Sequence, residues 1–210
     1  NVIKVEPLTG EWQRHAPAGG ITGNKINVSF LSLNRNKRSL AIDLKAEEGK
    51  AVLLDLVRTA DIFLQNYRPG VAKRLGVDYE TLSAINPRLV YVSMSGYGEA
   101  GPYVNRPGQD LLLQAMSGLA AHTGRADGPP IPVGSVVIDH HAAALCAMGI
   151  VSALFRRERT GKGGRVDVSL LQAAVDLQGE SVTAWLNGAP HSSPRGPGGV
   201  ATWFSAGGYG

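Results

Sequence analysis

Three β-type runs separated by helical spacing constrain this chain more than any other feature. Residues 39–44, 61–65 and 89–94 are short apolar runs of strand character. Between the first two, residues 47–59 place Val52, Leu53, Leu56 and Val57 on one helical face. Between the second and third, Arg68-Pro69-Gly70 turns the chain, Asp78 stands as the N-cap of a helix over 79–85, and Asn86-Pro87 stops it. Strands alternating with helices predict βαβ units, and so an α/β fold on a parallel sheet. Further on, the spacing predicts helices over 109–120, 139–157 and 170–186 and a strand over 165–169. The first five residues read as one more strand. From residue 188 the chain is rich in Gly, Pro and Ser, the composition of a linker, so one domain is expected over 1–187 and a linker over 188–210.

Composition narrows the class. The 210 residues hold 27 Gly and 12 Pro but 43% hydrophobic residues, which describes a loop-rich globular chain rather than a disordered one. A net charge of +4 is mild, and no nucleic-acid partner is expected. A single Cys excludes a disulfide framework and a Cys-based zinc site, and it fits a reducing, cytoplasmic setting. The apolar run 142–155 is too short to span a bilayer and reads as a core helix, so no membrane partner is expected. The chain starts at Asn1 and ends in a glycine-rich loop, and is expected to be cut from something longer at both ends.

Gly96-Tyr97-Gly98-Glu99-Ala100-Gly101 matches G-x-G-x-x-G and follows a strand. A dinucleotide site needs a helix to open at once, yet Pro102 and Pro107 follow, so a glycine turn is expected, with backbone N–H groups free to face a ligand oxygen. Gly161-Lys162-Gly163 lacks Walker A spacing. With Arg156, Arg157, Arg159 and Arg165 around it, it reads as a solvated helix end capped by Gly161. Asn34-Arg35-Asn36-Lys37-Arg38 is either plain surface or a phosphate-binding rim. His140 and His141 are adjacent and cannot share a helix face, so no metal site is expected, and Cys146 reads as core. Asp139 follows the apolar Val136-Val137-Ile138 and opens a long apolar helix. It is open to two readings, a helix-start acid or the carboxylate nucleophile of an acyl transfer.

The ordered segments together resemble one family. They are residues 33–45 (LNRNKRSLAIDLK), Asn66-Tyr67-Arg68-Pro69-Gly70, residues 86–93 (NPRLVYVS), Arg106-Pro107-Gly108-Gln109-Asp110, the Asp139 region and Arg159-Thr160-Gly161-Lys162-Gly163. They are similar to the class III CoA-transferases, the group that includes formyl-CoA transferase, carnitine CoA-transferase and the α-methylacyl-CoA racemases. The resemblance implies a Rossmann-like large domain, a smaller second domain outside this sequence, and an interlocked homodimer. It implies coenzyme A as acyl-CoA substrate, a small carboxylic acid as partner, and Asp139 as the nucleophile. It places CoA contacts on Ile42, Lys45, Asn66, Tyr67 and Arg74.

One position separates the branches of that family. The racemases carry His immediately before the acid that matches Asp110, where this chain has Gln109. An amide cannot act as a base, and racemisation needs an acid and a base on opposite faces of the α-carbon. Transfer is therefore favoured, with Gln109 beside the substrate. A racemase or a catalytically incomplete CoA-binding piece is the alternative.

Overall fold

The computed structural model describes residues 1–16, 27–125 and 127–188. The chain divides into two compact units, Asn1–Thr59 and Ala60–Gly210. The expected linker lies outside the described residues except for its first position, Gly188.

The first unit holds strands β1 (Val2–Glu6) and β2 (Lys37–Ala41) and helices α1 (Val28–Leu33) and α2 (Glu47–Val57). The two strands pair in parallel, Val2 opposite Lys37 and Glu6 opposite Ala41. β2 begins two residues earlier than its apolar residues suggest. Asn36 adopts a left-handed conformation (φ 64°), which Asn tolerates better than most residues, and this turn launches the strand from Lys37. Helix α1 has no long apolar period; it forms because the Asn27 side chain accepts the Phe30 N–H at 3.0 Å and caps it. Buried Glu6 ties the unit together: it accepts Arg14 Nε at 2.8 Å, Ser39 Oγ at 2.6 Å and the Glu11 N–H at 3.1 Å. Arg14, first in effect, holds the Glu6 carboxyl at about 2.

The second unit is a three-stranded parallel sheet in the order β3 (Ile62–Gln65), β4 (Val90–Ser95), β5 (Gly164–Ser169). The chain thus forms two parallel sheets flanked by helices, where one continuous sheet is the simplest reading of the sequence. β4 is the centre of the second sheet, and its residues Val90 to Ser93 are all buried. A strand covered on both faces needs no alternation. Helices α3 (Val71–Leu75) and α4 (Tyr79–Ile85) join β3 to β4. Asp78 caps α4 as its sequence implies, accepting the Thr81 N–H at 3.1 Å.

Helices α5 (Asp110–Met116), α6 (Val137–Thr160) and α7 (Leu170–Asp176) complete the core. Leu113, Ile138, Ala142, Cys146, Ala173 and Ala174 close over Val90, Val92 and Val168. Cys146 is buried as expected, and burial pushes its thiol up. The apolar period predicts α5 to run on to residue 120, but Gly118 (φ 85°) breaks it, and a short 3-10 turn follows at Leu119–His122. The helix predicted over 170–186 is likewise two, α7 and α8 (Gly179–Leu186). Buried Gln178 sits between them and donates to the carbonyls of Ala174 and Ser117.

At 24 residues α6 is longer than its apolar run, and by length and composition alone it would suffice to cross a membrane. One side of it belongs to the core, while Met148, Val151 and Phe155 lie exposed on the other. Gly161 ends it in a left-handed cap, as expected, but the helix end is not simply solvated. Arg157 is buried and donates to Asp61 Oδ1 at 3.0 Å, because its guanidinium reaches past the helix to the loop before β3.

Candidate active site around Asp139

The site begins with two loops at the end of the second sheet. β4 delivers Ser95 and Gly96 into the glycine turn, and no helix opens there, as Pro102 and Pro107 require. Gly98 N–H donates to Ser95 Oγ at 2.9 Å, which folds the turn back on the strand end. Gly96 then meets Gly108 backbone to backbone: a Cβ on Gly96 would stand 2.7 Å from the Gly108 Cα. This contact brings the Arg106–Asp110 stretch against the strand end.

The result is a cleft of about 120 Å³ lined by residues of three segments. Asn66, Tyr67, Arg68 and Pro69 follow β3, Ser95 and Gly96 follow β4, and Val104 and residues 106–109 precede α5. Strand ends of a parallel sheet are where α/β proteins form ligand crevices. Tyr67 is half-buried, its N–H donates to Gln65 Oε1 at 2.7 Å, and burial pushes its phenol up, so it stays a neutral hydrogen-bonding group. Gln65 in turn donates to Ser93 Oγ at 2.8 Å, which fixes the end of β3 to β4. Arg106 lies over the Tyr103 ring, 4.4 Å from its centroid.

Asp139 stands in the first turn of α6. Val136 occupies the N-cap and has no side chain able to cap, so Asp139 is not itself the cap. The cap comes from another helix: Asp110 Oδ2 accepts the Asp139 N–H at 2.9 Å. Asp139 is exposed, and no described residue hydrogen-bonds its carboxylate. Its carboxyl is nonetheless pushed up, first by partial desolvation and next by the Asp110 charge, with His140 pulling the other way. The result is a carboxylate at a helix start, free of competing partners and more basic than usual.

Of the residues that sequence reasoning singles out, Asn66, Tyr67 and Gln109 share the cleft. Arg74 is exposed on α3, and neither it nor Asp139 lines the cleft. Ile42 and Lys45 belong to the first unit. Lys45 is exposed there, its N–H held by Asp43 Oδ1 at 2.9 Å just before α2. His140 and His141 diverge as expected, His141 Nε2 meeting Asp176 Oδ2 at 2.6 Å. No group of three or more potential metal ligands occurs among the described residues. Sequence reasoning misses Arg68, Ser95 and Arg106 as cleft residues and gives Asp110 no role. The one trace of Asp110 is an acid at a helix start with Gln114 four residues on, which puts both on one face.

The chain thus combines an α/β fold on parallel sheets with a strand-end cleft and a helix-start carboxylate that no described residue hydrogen-bonds. The chain belongs to CoA-transferase family III, whose model matches residues 1–207. It is 41% identical to an acetyl-CoA:oxalate CoA-transferase of Acetobacter aceti over 87% of this chain and 47% of that protein. It is 41% identical to a succinate–glutarate CoA-transferase of Agrobacterium fabrum over 90% of this chain and 49% of that protein. A CAIB/BAIF family protein from Brucella suis superposes with a TM-score of 0.86 at 33% identity, covering 92% of this chain and 52% of that one. The chain spans about half the length of the curated relatives it matches.

Proposed function

We propose that this chain carries the nucleophile and CoA-binding residues of an acyl-CoA:carboxylate CoA-transferase, with Asp139 as the nucleophile. The single observation that carries the reading is the Asp139 carboxylate. It stands exposed at the start of α6, hydrogen-bonded by no described residue, with its own N–H already held by Asp110. A carboxylate with no partner is ready to attack, and one pushed up in basicity is the stronger nucleophile.

The chemistry runs in four exchanges. The Asp139 carboxylate attacks the acyl-CoA carbonyl, the C–S bond breaks, and a mixed anhydride and CoA thiolate form. The thiolate attacks the aspartyl carbonyl of the anhydride, releases the donor acid as its carboxylate, and leaves an aspartyl-CoA thioester. The acceptor carboxylate attacks that thioester carbonyl, giving a second anhydride and thiolate again. The thiolate then attacks the acceptor's carbonyl, which frees the new acyl-CoA and restores Asp139. Every step passes through an oxyanion, for which backbone N–H groups of the glycine turns are the fitting donors. No acid or base is consumed, so Gln109 suffices beside the substrate where a proton-transfer reaction would need a base.

Lys45 and Arg74, both exposed cations, suit the nucleotide phosphates of CoA, while Ile42, Asn66 and Tyr67 offer apolar and amide contacts to the rest of it. Donor and acceptor are small acids of the kind named in the relatives: acetyl, formyl or succinyl donors and dicarboxylate acceptors. A homodimer in a cytoplasmic setting belongs to the same reading.

The test is covalent capture. The protein is incubated with acetyl-, formyl- or succinyl-CoA, quenched with hydroxylamine or borohydride, and mapped by mass spectrometry. The expected result is a hydroxamate or alcohol at Asp139. An adduct on another residue overturns the assignment, and uptake of solvent deuterium at the α-carbon without any adduct overturns transfer.

A further inference from the structure

Asp110 and Gln114 are the two polar side chains buried in α5, 6% and 2% exposed. Each of their contacts reaches the segment that ends in Asp139 or joins one to the other. Asp110 Oδ2 accepts the Asp139 N–H at 2.9 Å, and Asp110 Oδ1 accepts Gln114 Nε2 at 2.5 Å. Gln114 Nε2 also donates to the Ser135 carbonyl at 3.2 Å, and Gln114 Oε1 accepts the Val133 N–H at 2.8 Å. Burying a carboxylate and an amide is costly where an apolar pair would pack as well, so the arrangement calls for a purpose beyond packing.

We propose that Asp110 and Gln114 act together as a positioning clamp. From α5 they fix the loop 133–135 and the first turn of α6, and so fix the direction in which the Asp139 carboxylate leaves the helix. The inference rests on the reading of Asp139 as nucleophile for its purpose, but its geometry stands apart from that reading. The cap is supplied in trans because Val136 cannot supply it in cis. An anion at a helix start is favourable in itself. Here the anion also lies beside the reacting group, so it tunes that group as well as anchoring it. A plain structural cap would do only the first.

The charged neighbours of Asp139 are few among the described residues. Asp110 comes from α5, His140 from its own helix, and the His141–Asp176 pair joins α6 to α7. The Asp110 contribution can therefore be isolated by substitution.

The test follows the Asp139 carboxyl by ¹³C NMR titration, and the Val133 and Asp139 amides by hydrogen exchange, in wild type, D110E, D110N and Q114M. D110N keeps one oxygen that can accept the Asp139 N–H, and loses the charge together with the acceptor that Gln114 Nε2 uses. Its Asp139 midpoint is expected to fall, while D110E keeps the wild-type midpoint. Q114M keeps the carboxylate and removes the amide; its Val133 and Asp139 amides are expected to exchange about tenfold faster, with no fall in the midpoint. A folded D110N with an unmoved midpoint overturns the tuning, and unchanged exchange in Q114M overturns the clamp. If D110N does not fold, Q114M decides alone. Both readouts need no turnover, so a failure of the clamp and a failure of the transferase reading are told apart by whether Asp139 still forms the adduct.

Discussion

Gly96 and Gly108 touch through their backbones, so that a Cβ on Gly108 would stand 2.4 Å from the Gly96 Cα. This contact joins the turn after β4 to the stretch that begins α5, and residues of both line the cleft. Ala at either position must push the two loops apart. Overpacking of this kind costs about 1–3 kcal/mol. G108A is expected to lower the urea midpoint and to weaken acyl-CoA binding in calorimetry, whereas G134A, where a Cβ would meet nothing, is expected to change neither.

The Glu6–Arg14 pair predicts acid sensitivity in the first unit. The Glu6 carboxyl lies at about 2 in the folded chain against an ordinary 4.5. A lowered folded value means the stabilisation is fully present above the unfolded value and is lost as pH falls from about 4.5 towards 2. Arg14 is partly solvated, which discounts the contribution to about 2 kcal/mol. E6Q is expected to flatten the stability profile over that window and to lower stability at neutral pH, measured by urea unfolding at a series of pH values.

Leu113 is fully buried on α5, in the same core cluster as Ile138 at the start of α6. L113A removes a side chain that packs where the clamp residues sit. It is expected to cost about 2–5 kcal/mol in chemical denaturation. L111A, at an exposed position of the same helix, is expected to cost less than about 1 kcal/mol. Equal losses would place the core elsewhere.

Lys45 and Arg74 are exposed, so their removal should leave stability unchanged. K45A and R74A are expected to raise KM for acyl-CoA several-fold with kcat little altered, since phosphates far from the reacting carbonyl are bound equally in ground and transition states. A fall in kcat at constant KM would move either residue out of the CoA-binding role.

The sequence by itself determined the α/β class, the parallel strands, the Asp78 cap, the Gly161 stop and the core position of Cys146. Each of these is a local preference, expressed within a few residues: apolar spacing, a capping side chain, a glycine that accepts positive φ. The motif string likewise pointed to the family and to Asp139. What only the tertiary structure decided depends on residues far apart in the chain. Helix α1 and the early start of β2 hang on Asn27 and Asn36, single polar residues whose effect no apolar period announces. Arg157 reads as a surface cation until the fold places Asp61 within its reach. The largest gap is Asp110, which sequence leaves as an ordinary first-turn acid. Its partner is a backbone N–H twenty-nine positions away, and backbone groups leave no mark in a sequence. Folding alone brings the two together, and with them the carboxylate that Asp139 presents.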